Sequence, residues 1–142
     1  MRHFLSQITD GLVHNLYYMS LMAALTIPDI CGALDSPDGR TTGERYTEWF
    51  RKHLGAIYGE SFTGEDCYYF RCSLLHQGST EHPNSKYKKI IFVEPTATGS
   101  VFHRNVLNDV FNIDVRIFCL DLISAAAGWL EQVEETTLYK QN

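Results

Sequence analysis

Arg71 and His76 lie five residues apart in the stretch Tyr69-Phe70-Arg71-Cys72-Ser73-Leu74-Leu75-His76-Gln77-Gly78. Arginine presents a permanent planar charge that matches phosphate oxygens, and histidine gains or loses a proton near neutral pH. The pair is the chain's candidate for phosphate chemistry, with Arg71 holding the anion and His76 moving a proton. Their spacing does not bring them together directly. Five residues of regular helix advance about 500°, which leaves the two roughly 140° apart and about 7.5 Å along the axis. Arg71 falls in the apolar stripe with Tyr68, Phe70, Leu74 and Leu75, while His76 and Tyr69 point elsewhere. Joint action then needs the helix to loosen at His76, or a twofold axis that sets Arg71 of one chain beside His76 of another.

An arginine inside an apolar stripe needs a partner, because an uncompensated buried guanidinium costs several kcal/mol. Asp10, Asp29 and Glu48 are the candidates, and the sequence does not rank them. In the structural alternative, Arg71 ties helices together and His76 caps the last carbonyls of its own helix.

An arginine, four residues and a histidine near the end of a helix in a small helical domain resemble the R-x4-6-H motif of HEPN domains. Active members of that family are metal-independent endoribonucleases that work as dimers. The resemblance implies that Arg71 neutralises the scissile phosphate and that His76 is the general acid or base for attack by a 2′-hydroxyl. The family usually carries a polar residue, often Asn, directly after the arginine, where this chain has Cys72. Gly43-Glu44-Arg45-Tyr46 to Trp49-Phe50, together with Leu74-Leu75-His76-Gln77-Gly78, also resembles a bacterial family of small proteins without an assigned function.

A second group of candidates is basic. Between Cys67 and Asn105 the bases Arg71, Lys86, Lys88, Lys89 and Arg104 outnumber Glu81 and Glu94, in a chain whose net charge is -5. Lys86, Lys88, Lys89 and Arg104, with His103, Tyr87 and Phe102, could track a phosphate backbone and stack a base. The structural alternative, which the sequence favours, is an edge hairpin whose lysines discourage pairing with other chains. Cys67, Cys72, His76 and His82 are zinc-ligand types, but Cys67 and Cys72 do not converge on one helix face, so no metal and no cofactor is expected. His53 shares a face with Tyr46, Trp49 and Phe50 and reads as a satisfied core histidine, whereas His3 and His14 read as solvent-facing. Phosphate-binding glycine loops, a G-x-S-x-G elbow and a carboxylate pair suited to acid-base work are not found in the sequence.

The elements that must position these residues follow from periodicity. Leu5, Ile8, Leu12, Leu16, Met19 and Ala23 describe one stripe of a long amphipathic helix. Thr26-Ile27-Pro28 restarts the chain into a short helix that ends at Ser36-Pro37-Asp38-Gly39. Thr41 and Glu44 form a capping box for a helix to about Leu54, and Thr63-Gly64-Glu65-Asp66 opens the helix of Arg71, which Gly78 stops. Lys88 to Val93 and Val101 to Val106 read as a β-hairpin over about residues 87–106, and Val115, Phe118, Leu122, Ala126 and Trp129 line a last helix. A polar tail starts at about residue 134.

The expectation is one mainly α-helical domain over residues 1–142, a bundle of about four helices with a small inserted β-hairpin. Its 44% hydrophobic content is ample for a core. The acidic balance argues against whole-surface attraction to nucleic acid, so any RNA contact is local. The four cysteines are not spaced as pairs and read as reduced. The first residues lack the pattern of a secretory signal and no apolar run reaches the about 18 residues that span a bilayer, so a cytoplasmic protein without membrane contact is expected. Self-association, most simply as a dimer through apolar helix surface and the hairpin, completes the reading.

Overall fold

In the computed structural model, which describes residues 1–84, 86–87, 89–95 and 101–142, the stripe that begins at Leu5 does not run on as one helix. Helix α1 (Arg2–Val13) stops, Asn15 takes the left-handed conformation at φ 58°, and α2 (Tyr17–Ala24) starts in a new direction. Asparagine tolerates that conformation better than most residues. The two helices pack closely where Gly11 meets Ser20, since a Cβ on Gly11 would lie 2.4 Å from the Ser20 hydroxyl oxygen. Leu5, Ile8 and Leu12 are therefore buried, but Leu16 and Met19 join Val13 and Tyr18 as an exposed apolar corner.

Helix α3 (Ile27–Leu34) has Pro28 in its first turn, where the missing N–H is not needed. The 18 residues Tyr17–Leu34 are long and apolar enough to cross a membrane by length and composition, contrary to the sequence expectation, and half of that stretch is buried in the fold. The expected restart at Thr26 is present, as the break between α2 and α3.

Helix α4 (Gly43–Tyr58) is capped by Thr42, whose hydroxyl accepts the Arg45 N–H at 3.2 Å, one residue later than the expected Thr41 cap. It runs on to Tyr58, past the expected end at Leu54. Helix α5 (Gly64–Gln77) has the expected start, a reciprocal capping box between Thr63 and Asp66. Gly78, left-handed at φ 63°, ends it by donating to the Leu74 carbonyl while Ser79 donates to that of Ser73. Gly64 lets the start of α5 lie on α4, since any Cβ there would come within 2.4 Å of the Thr47 carbonyl oxygen.

The β region differs from the expected hairpin. Strand β1 (Lys89–Val93) pairs in parallel with β3 (Val110–Asp114), and β2 (Asn105–Leu107) pairs antiparallel with β3, giving the order β1-β3-β2. The local hairpin is β2–β3, turned by Asn108 and Asp109 at φ 52° and 63°. Two successive left-handed residues of these types make a tight hairpin turn, and Asn108-Asp109 is its signal in the sequence. The expected connection between the two strands includes residues 96–100, which lie outside the described residues. Asp114 then caps α6 (Val115–Val133) through the Ile117 N–H at 2.9 Å. The tail is not simply polar coil: α7 (Thr137–Gln141) sets Tyr139 edge-on against Trp129, and Asn142 donates to the Ser36 carbonyl at 2.7 Å.

The fold is thus mainly helical with a small three-stranded sheet, and the described helices outnumber the four expected. Its core is aromatic where the layers meet. Phe62 stacks on Phe111 and meets Phe118 edge-on, and Phe92 of β1 stacks on Phe70 of α5 at 4.6 Å. Cys31, Cys67 and Cys119 are buried free thiols, with burial pushing Cys67 and Cys119 up to about 12.

Candidate phosphate site at the end of helix α5

Phe70 and Leu74 anchor α5 in the core, which leaves Arg71 at the edge of that buried face, pointing toward α3. Its partner is Asp29, in the first turn of α3. Asp29 Oδ2 accepts from Arg71 Nε at 2.9 Å and lies 2.8 Å from Nη2. Of the other acids considered, Asp10 is exposed and Glu48 pairs with Arg51 within α4 at 2.7 Å. The Arg71–Asp29 bridge is not sealed, since the side chains remain 21% and 14% exposed. Burial pushes the Asp29 carboxyl above its usual range, and the charge of Arg71 offsets this only in part. Burial also opposes the Arg71 charge, but Asp29 and Cys72 outweigh it and hold the guanidinium firmly protonated.

Asp29 occupies the Nε and Nη2 edge of the guanidinium. The Nη1 end extends along α5, 3.9 Å from Cys72 Sγ and 3.5 Å from His76 Nε2. The helix therefore brings Arg71 and His76 together without loosening and without a second chain, because the arginine is long enough to cross the 140° between them. Arginine can only donate, so a hydrogen bond across this contact has His76 Nε2 as its acceptor. The outer guanidinium edge is the donor that an oxyanion can meet here. The helix itself does not help, because the C-terminal end of α5 is the negative pole of its dipole.

Tyr69 and the loop beyond the helix flank this end. The Tyr69 ring stacks on His82 at 4.7 Å with 10° between the planes, and His82 Nδ1 accepts the Asn84 N–H at 3.2 Å. Among the described residues, no group of three His, Cys, Asp or Glu side chains could hold a metal ion.

Among the described residues, the basic candidates Lys86, Lys89 and Arg104 make their contacts away from Arg71 and His76. Lys86 donates to the Glu60 carbonyl at 2.6 Å, and Arg104 donates to the Ile57 carbonyl in the last turn of α4 with its guanidinium over the Tyr58 ring. Lys89 lies 3.9 Å from Glu81. Lys86 and Arg104 therefore satisfy carbonyls at and just beyond the end of α4, as cations near a helix C-terminus do. Lys88 lies outside the described residues.

Sequence reasoning missed two features. The first is a set of hydrogen-bonded and stacked side chains where α4 meets α6: Tyr58 donates to Asp121 at 2.8 Å, and His103 lies edge-on to the Tyr58 ring. The second is the setting of His53, half-exposed rather than in the core, with its Nε2 buried and without a hydrogen-bond partner among the described residues. The i, i+4 spacing of Trp49 and His53 was the available sign of the second. A groove of about 570 Å³ also runs between α4 and the turn into α5, over Phe50 and Phe62. Neither Arg71 nor His76 lines it.

Comparison of the chain with protein-family models, curated proteins and solved structures finds no match.

Proposed function

We propose that the end of α5 is a phosphate site and that the chain is an RNA-directed, HEPN-like protein, a cytoplasmic dimer acting as a metal-independent endoribonuclease. The observation that carries this reading is the 3.5 Å approach of Arg71 Nη1 to His76 Nε2 at a solvent-accessible helix end. A phosphate that draws Nη1 to itself frees the Nε2 lone pair, so anion binding converts His76 from a neighbour of Arg71 into an available base. Asp29 balances the guanidinium charge, so recognition at this point depends on hydrogen-bond direction more than on net charge.

The test is cleavage of single-stranded RNA in the presence of a chelator by the wild-type protein and by His76→Ala and Arg71→Ala. Loss of a general acid or base lowers the rate by about 10²- to 10⁴-fold. We expect His76→Ala to lose cleavage and keep RNA affinity, and Arg71→Ala to lose both. Undiminished cleavage by His76→Ala overturns the catalytic reading.

A second reading, a noncatalytic helical module that binds a protein or a small anion, is favoured by the exposed corner of Val13, Leu16, Tyr18 and Met19. In it Arg71 and His76 are structural. Absence of RNA binding by the wild-type chain at low salt, where phosphate contacts are strongest, selects this second reading.

A further inference from the structure

Of the four thiols only Cys72 is partly exposed; Cys31, Cys67 and Cys119 are buried, and burial pushes each of those three up. Cys72 also belongs to a group of side chains that can act on it. Tyr68, Cys72 and His76 follow one another at intervals of four along one face of α5, and Arg71 reaches over that face. Arg71 Nη1 donates to Cys72 Sγ at 3.9 Å, and the Tyr68 phenol is hydrogen-bonded to the same side chain. Charge on Cys72, then burial, pushes the phenol above its ordinary range, so it keeps its proton and acts as the donor. Two donors therefore converge on one sulfur, and one of them is permanently charged. The negative pole of α5 acts within the last turn, and Cys72 lies before it. Nη1 also has hydrogen-bonding capacity left over. Asp29 takes the Nε and Nη2 edge of the guanidinium, and the described contacts of Nη1 are a thiol and, at 3.5 Å, an imidazole.

We propose that Cys72 is a modification site that exchanges with disulfides bearing a carboxylate, the carboxylate being received by Arg71 Nη1. The thiolate is the nucleophilic form of cysteine, and reactive cysteines sit in partly exposed, electropositive surroundings such as these. Sγ, its proton passed to water, attacks one sulfur of the disulfide. The new bond to Cys72 forms as the old sulfur–sulfur bond breaks, and the second half leaves as a thiolate. Excess free thiol runs the same exchange backwards. Selectivity for an anionic reagent comes from Arg71 and works against the molecule as a whole, whose net charge of -5 repels anions. The exchange itself needs no RNA. It rests on the phosphate-site reading only for its consequence, that the mixed disulfide lies over Nη1 and shuts that site.

The probes are dithiobis-nitrobenzoate, a disulfide with carboxylates, and dithiodipyridine, which has none; both release a thiol whose absorbance gives the rate. We expect one thiol of the native chain to react in a fast phase that Cys72→Ser abolishes. The rate with the first probe relative to the second should be about tenfold higher for that thiol than for the thiols of the chain unfolded in urea, as a charge-assisted contact requires. The double variant Asp29→Leu, Arg71→Met strands no charge and should return the ratio to its unfolded value. If the double variant does not fold, Arg71→Lys replaces it, since lysine keeps the charge beside Asp29 but lacks the guanidinium fork, and it must lower the ratio. Thiols that stay unreactive until the chain unfolds, a fast phase that survives Cys72→Ser, or a ratio that the Arg71 variant leaves unchanged overturns the proposal. No RNA enters these measurements, so their outcome is separate from that of the cleavage assay.

Discussion

Two histidines bring proton linkage into the packing of this protein. Burial lowers His53 below the ordinary imidazole range, helped by Lys52, and burial with Arg104 does the same for His103. Each has a folded pKa below its unfolded one, so the stability they contribute is complete above the unfolded value of about 6.5 and declines as the pH falls through the folded values. We expect the melting temperature to drop between pH 7 and pH 5, and the drop to shrink in His53→Gln and His103→Gln. A melting temperature that rises over that interval in the wild type, or a drop unchanged in both variants, contradicts this account. Residue types alone pointed to Arg71 and His76, and the structure joins them. Spacing gave a misleading geometry because the angular separation of two Cα atoms ignores the reach of a long side chain. The same reasoning treated His53 as satisfied, since nothing in a sequence shows whether a buried nitrogen has a partner.

Among the elements, α3 and α5 are held together by one ion pair that Asp29 and Arg71 complete at 2.8 Å. Burial raises the Asp29 carboxyl, so the pair fixes an arrangement more than it adds stability. Removing one member leaves the other half-buried and unmatched. Asp29→Leu and Arg71→Met should therefore each cost about 1–3 kcal/mol, while the double variant Asp29→Leu, Arg71→Met should recover most of that loss. Denaturant unfolding of the two single variants and the double variant measures the coupling, and strictly additive losses would show that the pair does not act as a unit. Asp29→Asn should also impair any RNA activity, because it loosens the guanidinium whose far end meets His76. Helix starts at Thr63 and Pro28 and the stop at Gly78 were legible, being local capping and turn chemistry. The sheet was not. Parallel pairing of β1 with β3 depends on contacts between segments about twenty residues apart, and β3 was hidden because its five residues merge into the apolar pattern of α6.

For the whole molecule, the open question of assembly centres on the corner at the α1–α2 junction. Val13, Leu16, Tyr18 and Met19 are exposed, and in the sequence from Val13 to Met19 no Asp, Glu, Lys or Arg falls between them. Contiguous apolar surface of this kind marks interaction sites. On the dimer reading, Leu16→Asp and Met19→Asp should shift sedimentation from dimer to monomer at tens of micromolar protein while leaving the helical circular dichroism intact. A monomeric wild type removes the dimer from the proposal and leaves the corner to another partner. The periodicity anticipated the mainly helical class, but not which apolar residues would stay outside the core. Leu16 and Met19 fit the helical stripe and lost their place in the core when Asn15 turned the chain.

The stretch Tyr17–Leu34, with a mean hydropathy of 1.2, carries Asp29 as its only charged residue, and Asp29 is the residue that Arg71 claims from α5. A chain emerging during synthesis displays that stretch before α5 exists, with its carboxylate uncompensated. Completion of α5 is therefore the moment at which that lone carboxylate gains its counter-charge, with half of the stretch buried in the fold.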